Sequence, residues 1–411
     1  MSVTTTIGRR AALGLGFASG VAAVARPARA AAAPVKIGML MPLTGPWARE
    51  GVLERMGAEM AVAEVNAAGG IKSLNGAKLR LVLYDAQDTS EKAKDGATRM
   101  LADHPDLVAA MGCWLSSFTL AATEVSERAR LPWLTHGYSD TITSRGFHYV
   151  FDTSATASYQ AAHAVPALLA IAEAATGKRP TRIALIGDNT AASVSFMQPL
   201  RTHILKHLGL EVVLDKTYTP PLADATSLVQ PLRGVHADFL LLGSSNVPDD
   251  KLLLDALHEF GLSGHLPVLT EGGHMVAPEV LNTTGRSIVQ GAMAVLTDWP
   301  GPGTGPLVER FTHRTKEPWM GQESIFAYGH VMLLRYLLEH AEAATSSAIE
   351  HGLRTINITD GPARYFPGHR LQFTAEGLRV GATLVIVQWQ NGTPVAIYPP
   401  DTATAKPLWQ T

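Results

Sequence analysis

The 411-residue chain has one cysteine, Cys113, so no disulfide can form within it. No cysteine follows the N-terminal apolar stretch either, where a lipid anchor would need one. No apolar run reaches the roughly 20 residues that a good membrane span requires. Positive charge is not in excess: the formal net charge is −2, which excludes nucleic-acid binding driven by a basic face. Nucleotide loops are missing. The nearest match to Gly-x-Gly-x-x-Gly is GLGFASG at Gly14–Gly20, which is misspaced and too near the N-terminus. PGPGTGP (Pro300–Pro306) lacks the Lys-Ser/Thr ending of a phosphate loop and reads as a rigid connection. No Gly-x-Ser-x-Gly elbow occurs, which argues against a lipase-type hydrolase, and no cysteine pair exists for zinc. The chain is expected to need no cofactor and no metal, and not to be an enzyme.

What is present suits a large α/β protein. Hydrophobic residues make up 46% and charged residues 17% of the chain, enough for two domains with substantial cores. The first thirty residues differ from the rest. Arg9 and Arg10 precede a mildly apolar Ala/Gly-rich stretch, and Ala28-Arg29-Ala30 fits an A-x-A cleavage pattern. Residues 1–30 therefore read as an export signal, and the adjacent arginines suggest the twin-arginine route. Removing its four arginines leaves 30 basic against 36 acidic residues, a charge of −6. A soluble periplasmic protein is expected.

From Val35 onward apolar strands alternate with amphipathic helices. VKIGMLM is strand-like. After it, Val52, Leu53, Met56, Met60, Ala63 and Ala67 recur at three- and four-residue steps, and Gly69-Gly70 supplies a stop. SEKAKDGATRMLADH reads as a helix opened by a Ser cap. About ten strands follow this rhythm, too many for one comfortable sheet. Two α/β lobes with mainly parallel sheets are expected. Near the C-terminus, two β runs flank Asn391-Gly392, a hairpin signal.

In open parallel sheets ligands bind beyond the carboxyl ends of strands. LTGPWAREG, GCWLSSFT, THGYSDT, GDNTAAS, GSSNVPD and TEGGHM all fall there. They offer hydroxyls and helix N-terminal amides suited to a small carboxylate. Glu271 follows an apolar strand and precedes two glycines; its carboxylate can pair with a ligand ammonium or be an ordinary loop acid. Trp47, Trp114 and Tyr138 can wall an apolar side chain or pack loop against helix. Trp133, mid-strand, reads as core. His136 and His274 lie in cleft loops. His203 and His207 stand four apart on a helix, where a solvated face outweighs a metal clip.

The segments KIGMLMPLTGPWAREG with GAEMAVAEVNAAGGI, then MGCWLSSFTLA, YVFDTSAT, TEGGHMVAPEVLNTTGRSIVQGAMAV, and FPGHRLQFTAEGLRVGATLVIVQWQNGTPVAIYP run through the mature chain. Together they resemble the periplasmic solute-binding proteins of type I fold that serve ABC importers of branched-chain amino acids and amides. The resemblance spans about Val35 to Pro400. It implies two doubly wound parallel-sheet lobes joined by a multi-strand hinge. Lobe 1 is expected over 35–157 and 293–365, and lobe 2 over 158–292 with a return and closing hairpin at 366–400.

By the same resemblance, Ser116 matches the serine that holds the ligand carboxylate, and Gly137 a backbone contact. Ser139 matches a hydroxyl residue binding carboxylate and ammonium. The spacing of 23 from Ser116 to Ser139 fits the leucine/isoleucine/valine-binding pattern, and Glu271 matches the ammonium-binding acid. Departures touch the side-chain pocket. Ser245, Asn246 and Val247 stand where an aromatic is usual, Gly329 replaces an acid, and HGYS adds Tyr138. The implied function is capture of a branched-chain or other apolar amino acid by a monomer that delivers it to an inner-membrane ABC permease. The alternatives are uptake of amides, urea or aromatic acids, or ligand sensing on the same fold.

Overall fold

The computed structural model describes residues 32–409. The signal read at residues 1–30 lies outside them. Five strands form the first sheet: β1 (Val35–Met41), β2 (Leu79–Asp85), β3 (Leu107–Gly112), β4 (Trp133–Thr135) and β5 (Val150–Asp152). They are parallel, in the order β2-β1-β3-β4-β5. β3 is apolar and buried along its length, and β1 is so apart from Lys36, because both of their faces are covered. One face meets α1 (Ala48–Ala67) and residues of the later chain; the other meets α2 (Ser90–Asp103) and α3 (Ser116–Ala129). The cap of α2 is Thr89, one residue earlier than the sequence suggests: its hydroxyl accepts from Lys92 N. Trp133 is fully buried and donates to the Gly112 carbonyl at 2.8 Å, as expected of a core residue.

The second sheet has seven strands. β6 (Arg182–Asp188), β7 (Glu211–Tyr218), β8 (Phe239–Gly243), β9 (Val268–Glu271) and β10 (Met293–Leu296) are parallel, and β11 (Val385–Gln390) and β12 (Thr393–Tyr398) are antiparallel additions. The order is β12-β11-β10-β9-β8-β6-β7. The two-residue turn at Asn391-Gly392 joins β11 to β12, and both residues take positive φ, which the twist of a tight hairpin demands. Helices α4 (Ala157–Thr176), α5 (Ala191–Pro199) and α6 (Val247–Glu259) cover this sheet. Helices α7 (Gly305–Thr315), α8 (Gln322–Glu339) and α9 (Ser346–Thr355) return to the core of the first lobe.

Two expected boundaries move. Met293–Leu296, expected in lobe 1, has all four side chains buried in the second sheet, where β10 pairs with β9 and β11. The return to lobe 2 was placed at 366, but Phe366, Leu371 and Phe373 belong to the core of the first lobe. Their apolar side chains complete that core before the chain leaves it.

The chain passes between lobes near Asp152, after Leu296, and near Arg379. These crossings share one buried cluster. Arg379 N donates to the Asp152 carbonyl at 2.9 Å, and its guanidinium donates to the carbonyls of Thr153 (2.6 Å), Pro367 (2.8 Å) and Arg370 (3.2 Å). Asp152 and Asp298, one from each other crossing, are its electrostatic partners. Burial pulls the guanidinium down to about 10 and pushes Asp152 up to about 7 and Asp298 well above its usual range.

Candidate functional site

Strand ends of both lobes converge on a cleft whose free space, counting its opening to solvent, is about 400 Å³. Lobe 1 contributes Trp114, Leu115, Ser116, His136 and Tyr138 to its wall. Lobe 2 contributes Ser193, Ser244 and the run Glu271–His274. Gln322, the first residue of α8, also faces it.

Ser116 opens α3, where backbone amides lack intrahelical partners. Its Oγ accepts from Tyr138 N at 3.0 Å and Ser139 N at 3.1 Å. Both lone pairs are thereby used, so the hydroxyl proton is what remains to offer. Ser116 is thus an oriented donor beside a helix N-terminus, an arrangement that suits a carboxylate. Trp114, two residues earlier, holds a left-handed φ of 63°, uncommon for a bulky residue. That backbone turns its ring to meet the His274 ring edge-on at 6.2 Å across the cleft.

Glu271 ends β9 and is buried, and its Oε1 has no hydrogen-bond partner. Burial pushes its carboxyl up to about 8. Asp188 and Asp140 add to the rise, and His274 opposes it. An unpaired buried carboxylate is costly unless a cation meets it. His274 cannot be that partner, because its ring is already occupied: Nδ1 lies 2.5 Å from Asp250 Oδ2 and Nε2 lies 2.8 Å from the Glu271 carbonyl. Two acceptors require both ring nitrogens to carry protons. Burial works against that charge, but Asp250 and Glu50 hold the imidazolium up to about 9.

The other expected residues separate. Tyr138 lines the cleft, and its hydroxyl donates to Gln322 Oε1 at 2.6 Å. Gly137 lies behind the wall; a side chain there would come within 2.6 Å of Ile142 Cδ1. Ser139 is buried outside the cavity wall, and its hydroxyl bonds that of Ser195 at 3.0 Å, linking one lobe to the other. Trp47, expected to wall an apolar side chain or to pack loop against helix, does not line the cavity. It packs edge-on against Phe118 at 5.4 Å inside lobe 1, in the apolar cluster that also holds Leu115 and Trp133. His136 pairs with Glu54 at 2.7 Å and stacks on Phe326. His203 and His207 are exposed, and among the described residues no group of acidic, histidine or cysteine side chains could hold a metal.

Ser193, Ser244 and Gln322 were not singled out from the sequence. Ser193 and Ser244 lie in or beside loops that the strand-end rule does mark. Gln322 follows no strand and carried no signal.

A family model described as periplasmic binding protein matches residues 34–394. The chain belongs to the periplasmic binding protein family. It is 30% identical over 402 residues to the Leu/Ile/Val-binding protein homolog 8 of Brucella melitensis, with 95% of this chain and 97% of that relative covered. The solved structures it resembles include a branched-chain amino acid transporter substrate-binding protein of Streptococcus pneumoniae in complex with isoleucine. There the TM-score is 0.75 at 18% identity, over 88% of this chain and 99% of that one. Another is an ABC-transporter solute-binding protein of Rhodopseudomonas palustris in complex with 3,4-dihydroxybenzoic acid, with a TM-score of 0.73 at 16% identity, over 88% and 96%. This periplasmic binding protein therefore has the type I fold, with two α/β lobes and a cleft between them.

Proposed function

We propose that this protein is the extracytoplasmic substrate-binding component of an ABC importer. It captures a branched-chain or other apolar amino acid in the interlobe cleft and delivers it to an inner-membrane permease. The observation that carries this reading is Glu271, a buried carboxylate with an unpaired oxygen, in the same small cavity as the oriented hydroxyl of Ser116. One end asks for a cation and the other for an anion, and an α-amino acid supplies both. The name of the Brucella relative, a Leu/Ile/Val-binding protein homolog, and the isoleucine held by the Streptococcus structure support it. An aromatic acid such as the one in the Rhodopseudomonas structure offers a carboxylate to Ser116 but no cation to Glu271. A ligand touching both lobes favours the closed arrangement by its greater affinity for it. The export signal read at residues 1–30 suits delivery to the periplasm, and the monomer and its permease belong to the same proposal.

The test is titration calorimetry of refolded, ligand-stripped protein with leucine, isoleucine and valine, then with amides and aromatic acids. Saturable binding of α-amino acids is expected, weakened about 10- to 100-fold in Glu271→Gln, since a charge-assisted bond is worth roughly 1.5–3 kcal/mol. Binding of aromatic acids or amides alone, indifferent to Glu271→Gln, would overturn the amino-acid reading.

A further inference from the structure

Gln322 sits at the base of the cleft with its amide held in one orientation. Its Oε1 accepts from Thr297 N at 2.8 Å and from the Tyr138 hydroxyl at 2.6 Å. A backbone N–H can only donate, so the atom facing Thr297 must be the oxygen. The amide nitrogen is left on the other side. The hydrogen bonds of this side chain all fall on its oxygen, and Gln322 lines the cavity while only 1% exposed, which leaves its N–H donors for a ligand. From the opposite lobe, the Oγ of Ser193 is buried and unpartnered and belongs to a residue of the same wall. Trp114 and Leu115 supply apolar surface between them. An aliphatic side chain would satisfy the apolar surface and strand both polar groups.

We propose that Gln322 is a specificity-determining residue whose Nε2 donates to an acceptor on the ligand side chain. The preferred ligand is then an amino acid whose side chain has a short apolar stem ending in a carbonyl or hydroxyl oxygen. This rests on the amino-acid reading above and narrows it. A site built to hydrogen-bond a substrate rejects the analogue lacking that group far more strongly than a greasy pocket rejects a missing methylene.

Leucine and asparagine have side chains of nearly the same shape, and only asparagine has the acceptor. Ligand-stripped protein titrated with leucine, asparagine and glutamine should bind one of the two amides at least about tenfold more tightly than leucine. Gln322→Leu removes the N–H donors without adding a carboxyl that burial would keep protonated. It should cost the amide ligand about tenfold or more and change leucine affinity by less than about threefold. Gln322→Met, which cannot hydrogen-bond, should shift the preference toward leucine; thermal unfolding checks that both variants fold. Tighter binding of leucine than of either amide by the unaltered protein would overturn the proposal and leave the amino-acid reading standing. Failure of every α-amino acid to bind would overturn both.

Discussion

Arg49 and Glu279 meet at 2.6 Å, one from the first turn of α1 in lobe 1 and the other from lobe 2. The same guanidinium reaches Glu317 at 2.6 Å, so one side chain holds two carboxylates and ties the lobes together. Burial works against the charge on Arg49, yet the two acids outweigh it and raise its pKa. Neither Arg49 nor Glu279 lines the cavity. Arg49→Met should therefore destabilise closure without removing a ligand contact. Pairs of this exposure are worth up to about 1 kcal/mol, so the expected loss is roughly two- to fivefold. It should appear as faster ligand release in stopped-flow measurements and be the same for every ligand. An unchanged release rate would show that the pair does not hold the lobes.

Glu271 gives a pH signature. Its carboxyl rises from 4.5 to about 8 because burial disfavours the ionised form. The folded, ligand-free protein thus binds a proton that the unfolded chain gives up. The stability this contributes is complete below about 4.5 and is lost as pH rises through about 8. Glu50, buried with neither oxygen partnered and also raised to about 8, adds to the same slope. The unfolding midpoint of ligand-free protein should fall between pH 5 and 8, and Glu271→Gln should flatten that fall. A ligand ammonium requires the ionised form, so binding at pH 7 should release up to one proton. Calorimetry in buffers of different ionisation enthalpy measures it. Zero release, with the slope unaltered in Glu271→Gln, would remove Glu271 from the ammonium site.

Much of this architecture can be read from periodicity. The alternation of apolar runs and helical stretches marks both lobes, and Asn391-Gly392 marks the closing hairpin. The strand-end rule brings Ser116, Tyr138 and Glu271 to one cleft because their positions follow from where parallel strands stop. The rule says nothing about which way a loop side chain turns, which is why Trp47 goes into lobe 1 against Phe118 and Trp114 goes into the cleft. Gln322 was invisible for a different reason. Its role depends on Thr297 and Tyr138, neighbours that only the interlobe geometry brings together.

Ser116 couples the ligand site to the frame of lobe 1. Its oxygen is the acceptor for two buried amides, Tyr138 N and Ser139 N. Ser116→Ala leaves both without it, at a cost of about 1–3 kcal/mol in stability. It also removes the donor offered to a carboxylate, so affinity should fall by about tenfold or more. The diagnostic is the ligand-free midpoint, read by chemical unfolding. A variant that binds weakly yet unfolds like the parent would mean that Ser116 touches ligand without organising the loop.

Arg379 does for the hinge what no single strand could do. It sits among three crossings, bonded to the Asp152 backbone and to the carbonyls of Thr153, Pro367 and Arg370, with Asp152 and Asp298 as its counter-charges. Arg379→Met leaves two buried acids without a counter-charge and three carbonyls without a donor, a loss of up to roughly 3–5 kcal/mol at alkaline pH, where the acids are ionised. The loss should depend on pH in a definite direction. Burial already pushes Asp152 up to about 7 and Asp298 well above its usual range, and removing the cation pushes both further. Protonation at lower pH then neutralises them, so the deficit should shrink from pH 8 to pH 5. Arg379→Lys keeps a charge but not the fork that reaches three carbonyls, and should fall between the two. Urea unfolding at the two pH values separates the causes. A deficit equal at both would assign the loss to missing hydrogen bonds alone; a deficit that shrinks toward acid identifies the guanidinium as the charge that lets two acid-bearing crossings share one buried hinge with its own.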